Sequence, residues 1–208
     1  MKQTVIGRSI NRVGGLPRVL GTQAYVADFK LPNMLHAKLV PLNCAHARIL
    51  SIDSSEALKV EGVRAVLSAK DLPQPIPRFG PVCQDRPLLA VGTTQFHGEP
   101  VAIVAAESEH AAAVAASRVR VDYEELPAIT SVAQALDPSA GLVQDTELRS
   151  DGPFKNTNVL DEWTFGWGDV EHCRADEVIE NIYSFPMVTQ FAIEPFAYLA
   201  EPTKDGIT

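Results

Sequence analysis

Five histidines, His36, His46, His97, His110 and His172, and three cysteines, Cys44, Cys83 and Cys173, are the side chains here with the widest chemical range. A zinc hydrolase of the HExxH type needs two histidines one helical turn apart, and no such run is present. Cys44 and His46, like His172 and Cys173, are near neighbours, but a tetrahedral metal site needs a second pair and none is spaced to supply it. These residues therefore read as surface or packed groups, and the cysteines as buried free thiols. Gly166-Trp167-Gly168 runs into Asp169, so the third glycine of a dinucleotide fingerprint is missing. Neither a phosphate-binding GxxxxGK[ST] loop nor a GxSxG nucleophile elbow occurs. Glu124-Glu125 and Asp161-Glu162 are adjacent in sequence, so on a strand their carboxylates point to opposite faces and cannot act together. Two places are more constrained. Gly98-Glu99-Pro100 sets a sharp entry into an apolar run, which makes Gly98 and Pro100 candidates for a structural turn or for a loop that carries function. Glu194-Pro195 follows the apolar residues Phe191-Ala192-Ile193, where a carboxylate is expected to be hydrogen-bonded as an anchor or to lie close to a site.

The elements that must position these residues are of both kinds. Leu35 to Val40 and Arg48 to Asp53 read as paired strands joined by a proline-bearing turn. Ser54-Ser55 offers a cap for a short helix over 56–60, Gly62 ends it, and Val63 to Leu67 is a further strand. Five prolines between Asp71 and Gly92 predict a long ordered loop. Val101 to Ala106 is continuously apolar, as in a central strand covered on both faces. Ser108 caps an alanine-rich helix over 109–116, and Val119, Val121 and Tyr123 alternate with charged residues in the strand after it. Strand, helix and strand within about 25 residues predict a parallel, right-handed crossover. Residues 127–158 read as loop; Val159 to Phe165 and Val178 to Phe185 read as extended, with a helical turn after Asp169 between them. Ala197 to Ala200 reads as a strand leading into a tight turn at Lys204-Asp205-Gly206. Only Ile207-Thr208 remain to pair with it, so the chain is expected to be a piece of a larger folded unit.

Composition bounds the rest. With 208 residues, 46% apolar and 21% charged, the chain suits one or two globular domains. A formal charge of −8, with its basic residues scattered, argues against a nucleic-acid partner. No stretch approaches the roughly 20 apolar residues of a membrane helix, and the first residues lack the apolar core of a secretion signal, so no membrane partner and a cytoplasmic location are expected.

The ordered run of residues resembles the molybdenum-binding large subunit of the xanthine dehydrogenase and aldehyde oxidase family. It begins with Ile6-Gly7-Arg8-Ser9, Gly21-Thr22-Gln23-Ala24-Tyr25-Val26-Ala27-Asp28 and Leu31-Pro32-Asn33-Met34-Leu35-His36-Ala37. It continues through Ala45-His46-Ala47-Arg48-Ile49, Gly62-Val63-Arg64-Ala65-Val66, Asp71-Leu72-Pro73 and Gly98-Glu99-Pro100-Val101-Ala102. Val119 to Pro127, Gly168-Asp169-Val170, Ala175-Asp176 and Glu194-Pro195 complete it. Before Glu194-Pro195 the family often has a histidine, where this chain has Gln190-Phe191-Ala192-Ile193, and Phe196 replaces a frequent polar or basic residue.

The resemblance implies an α+β protein: an N-terminal arm over 1–18, an α/β hammerhead domain over 19–127, a linker over 128–158, and over 159–208 the start of a mixed α/β molybdopterin-binding domain. It implies an oxidoreductase whose molybdenum centre hydroxylates a carbon of an aldehyde or N-heterocycle with oxygen from water. The family's cofactor-contacting glutamine and glycine-rich segments and its catalytic glutamate fall after Thr208, so no catalytic residue and no metal ligand is assigned in this chain. Gly98, Pro100, Glu194 and Pro195 are the candidates for structural or cavity-wall roles. The implied partners are the remainder of the molybdenum subunit, an iron–sulfur subunit, an FAD subunit and a small-molecule substrate. Two iron–sulfur clusters would need about four to eight spaced cysteines, against the three present. The alternative expectation, from a different class, is a standalone or split-subunit structural or assembly module with a hammerhead fold.

Overall fold

Where apolar residues alternate or run continuously the chain forms strands, and where alanines cluster behind a serine it forms the longest helix among the described residues. The computed structural model describes residues 6–80, 83–149, 151–169, 172–186, 188–189, 191–192 and 194–208. In chain order the elements are α1 (Gly15–Val19), β1 (His36–Leu42), β2 (Ala47–Asp53), β3 (Val63–Ser68), β4 (Arg78–Phe79) and β5 (Arg86–Pro87). Then come β6 (Thr93–Thr94), β7 (Glu99–Ala106), α2 (Glu109–Ala116), β8 (Arg120–Glu125), α3 (Val132–Leu136), β9 (Pro202–Thr203) and β10 (Gly206–Ile207). They divide between two units, residues 33–169 and the described part of 1–32 with 170–208.

The larger unit holds two three-stranded antiparallel sheets, ordered β1-β7-β3 and β6-β2-β8, and the small hairpin β4-β5. β7 is central, as its apolar run requires: Ala102 lies opposite Val40 on β1, and Val104 opposite Val66 on β3. Both sheets feed one core. Val40, Val101, Ala102 and Val104 come from the first sheet and Ala47 from the second, with Ile49, Ile52 and Val121 packed against them. Ser108 caps α2 by accepting a hydrogen bond from the Ala111 amide at 3.1 Å, and Ala111, Ala112 and Ala115 are buried. Alanine on this helix face lets α2 approach the sheet closely while keeping full helix propensity.

Two expected pairings are corrected. β1 does not pair with β2: the chain from Asn43 to His46 carries it out of the first sheet and into the second. Nor is there a parallel crossover through α2, because β8 leaves the first sheet and pairs antiparallel with β2. Side chains explain the second choice. β8 carries Arg120, Asp122 and Glu124 on one face, and β2 meets them with Asp53 opposite Arg120, Ser51 donating to Asp122 at 2.7 Å and Arg48 paired to Glu124 at 2.7 Å. The central strand β7, already flanked by β1 and β3, has no free edge for β8.

Local readings differ in smaller ways. Residues 55–59 form a turn rather than a helix, with one helix-type bond from the Leu58 amide to the Ser54 carbonyl at 3.0 Å. The proline-rich loop contains the β4-β5 hairpin. The stretch read as loop after Pro127 contains α3, capped by Ser131, whose hydroxyl accepts from the Gln134 amide at 3.2 Å while the Gln134 side chain accepts from the Thr130 amide at 2.9 Å. Residues 159–165 and 178–185 carry no strand, and the turn read after Asp169 falls partly on residues outside those described. At Lys204-Asp205 the expected tight turn joins β9 to β10, and Glu201 and Thr208 exchange backbone bonds at 2.9 Å; Ala197 to Ala200 is not a strand. Cys173 is exposed and Cys44 and Cys83 are half-buried, all three as free thiols. No helix among the described residues is long and apolar enough to cross a membrane.

Candidate functional site

The entry into β7 is where the larger unit concentrates its constrained chemistry. Gly98 has φ of +88°, and its amide donates to the Leu42 carbonyl at 2.8 Å, so the loop after β6 folds back onto the end of β1. Pro100 faces Pro41 beside the register shift in β1, where neither residue has an amide hydrogen for the ladder. The Pro100 carbonyl instead accepts from the Ala90 amide at 2.8 Å. Between them Glu99 is only 6% exposed, and its Oε2 accepts from the Gln95 amide at 2.6 Å. Burial raises the Glu99 carboxyl above the ordinary glutamate value, while the bond from Gln95, the charge of Arg86 and the Phe96 amide pull it partly back. The Arg86 guanidinium also lies over the Phe96 ring, 5.8 Å from its centroid.

Next to this entry lies a cavity of about 160 Å³. Its walls come from four stretches: Ala45 and His46 in the β1-to-β2 connection, Gln95 after β6, Pro127 to Ile129 after β8, and Gly141 to Val143. His46 is pinned there: its carbonyl accepts from the Leu126 amide at 2.9 Å and from the Cys44 thiol at 3.4 Å. Its ring Nδ1 lies 2.8 Å from the Pro127 carbonyl. A carbonyl oxygen can only accept, so Nδ1 bears the hydrogen and Nε2 of the neutral ring is an acceptor. Asn158 holds the opposite wall, donating to the Gly141 carbonyl at 3.0 Å and accepting from the Val143 amide at 2.9 Å.

Of the residues singled out from the sequence, Gly98 and Pro100 flank this buried carboxylate. Glu194 and Pro195 are exposed, in the other unit. Glu99 and His46 are the groups whose roles sequence reasoning missed. The continuous apolar run was the available signal for Glu99, since a strand buried on both faces buries its first residue too. His46 gave none, because its partner Pro127 is 81 residues away. Among the described residues no three His, Cys, Asp or Glu side chains come together as a metal cage.

Gly98→Val is expected to destabilise the larger unit by more than about 1 kcal/mol, because a β-branched residue is strained at positive φ. A Cβ at Gly98 meets nothing within 4 Å, so the cost is conformational and Gly98→Ala should show most of it. Hydrogen exchange of the β7 amides checks this; unchanged protection in both variants would remove the turn requirement.

Two small antiparallel sheets with a helix packed on one of them make the larger unit an α+β fold. The sequence matches the family described as aldehyde oxidase and xanthine dehydrogenase, a/b hammerhead domain, over residues 20–127, and the chain belongs to that family. It is 35% identical over 197 residues to a probable xanthine dehydrogenase subunit of Bacillus subtilis, covering 94% of this chain and 25% of that protein. It is 30% identical over 205 residues to the nicotinate dehydrogenase large molybdopterin subunit of Eubacterium barkeri, covering 98% of this chain and 46% of that one. The solved structure of reconstituted CO dehydrogenase from Oligotropha carboxidovorans aligns with a TM-score of 0.61 at 39% identity, over 64% of this chain and 17% of that one. The chain thus spans between a quarter and a half of these curated relatives. A molybdopterin cofactor, implied by the family, does not fit the cavity beside His46. Pockets for such molecules run to about 300–1,000 Å³, whereas this one has about 160 Å³ and no lysine or arginine in its walls to meet a phosphate.

Proposed function

We propose that this chain is the N-terminal part of the molybdenum-binding subunit of a hydroxylase of the xanthine dehydrogenase and aldehyde oxidase type. The whole enzyme would hydroxylate a carbon of an aldehyde or N-heterocycle with oxygen from water, and the chain described would serve it as scaffold. The division into an arm over 1–18, a hammerhead over 19–127, a linker over 128–158 and the start of a molybdopterin-binding domain belongs to this reading. So do iron–sulfur and FAD partner subunits and a cytoplasmic location. In it the cofactor is held by polypeptide that this chain does not include, and Gly98, Pro100, Glu194 and Pro195 act as framework or wall residues.

The observation that carries the reading is the family match, kept in order through nearly the whole chain by both curated relatives. A second observation agrees with it. Trp163, Phe165, Trp167, Ile179, Phe185 and Phe196 are each more than 80% exposed. A soluble chain rarely leaves so many large apolar side chains uncovered, so this segment fits one that packs under further polypeptide of the same subunit.

Isolation of the native polypeptide carrying these residues tests the proposal. A denatured mass several-fold above 22.5 kDa, with about one molybdenum per polypeptide, is the expected result. A polypeptide near 22.5 kDa whose native complex holds no molybdenum would overturn it in favour of an assembly module.

A further inference from the structure

We draw no further inference here: the strongest candidate, the apolar face of the first sheet on which Leu39 of β1 and Leu67 of β3 lie exposed on either side of Ile103 of β7, carries none because nothing in the structure shows what covers it.

Discussion

Ala115→Leu is expected to cost the larger unit about 1–3 kcal/mol, the usual penalty for forcing extra methylenes into a filled core. Ala115 is fully buried on the face of α2 that meets the first sheet, in the same cluster as Ala102 and Val104. Alanine and leucine differ little in helix propensity, so the loss would come from packing and not from the helix itself. Ala113, on the exposed face of the same helix, supplies the control: Ala113→Leu should change stability by less than about 0.5 kcal/mol. Hydrogen exchange of the α2 and β7 amides measures the local opening free energy in each variant, even if other parts of the polypeptide unfold separately. Equal protection in the two would mean that α2 can lift from the sheet at little cost, and that the alanine face does not set the spacing of the layers.

α2 and β7 were legible because their signals are local. A serine followed by alanines specifies a capped helix, and six consecutive apolar residues specify a covered strand, whatever lies elsewhere in the chain. Strand pairing was not legible in the same way. Whether β1 takes β2 or β7 as its neighbour is decided by which arrangement lets both sheets share one core, and that depends on Val40, Ala102 and Ile52 meeting across long stretches of sequence. The preference for a parallel crossover was a rule about helices that return to the same sheet, and β8 does not return. α3 was legible after all: Ser131 and Gln134 have the spacing of a capping box, but the prolines and turn residues around them outweighed it. For the site, the constrained backbone at Gly98 and Pro100 could be read from residue type. What it encloses could be read only in part: the apolar run beginning at Glu99 signals that residue's burial, whereas the pinning of His46 comes from Pro127, 81 residues away.

Glu99→Gln and Glu99→Leu should separate the two things this carboxylate does. It satisfies the buried Gln95 amide, and it places a charge where water is scarce. Leucine removes the acceptor, and leaving a buried donor unpaired costs about 1–3 kcal/mol, so Glu99→Leu should be clearly destabilised at every pH. Glutamine keeps an acceptor oxygen for Gln95 and loses the charge, so its difference from the native protein should depend on pH. Burial raises the native carboxyl above its ordinary value, so between the unfolded and native values the folded state holds a proton that the unfolded state has released. Stability from this group therefore falls as pH rises through that window, and the cost is complete above it. Glu99→Gln lacks the titration. Relative to native, it should gain stability as pH rises from about the ordinary glutamate pKa near 4.3 and level off beyond the raised native value. The variant-minus-native difference cancels the exposed carboxylates Asp53, Asp71, Asp137 and Asp151, whose lowered values act in the opposite sense. Local opening free energies of the β7 amides at a series of pH values measure that difference. A difference that stays flat with pH would mean that the Gln95 bond and Arg86 offset the burial fully. The loop between β6 and β7 would then be held by a carboxylate whose charge costs the fold nothing.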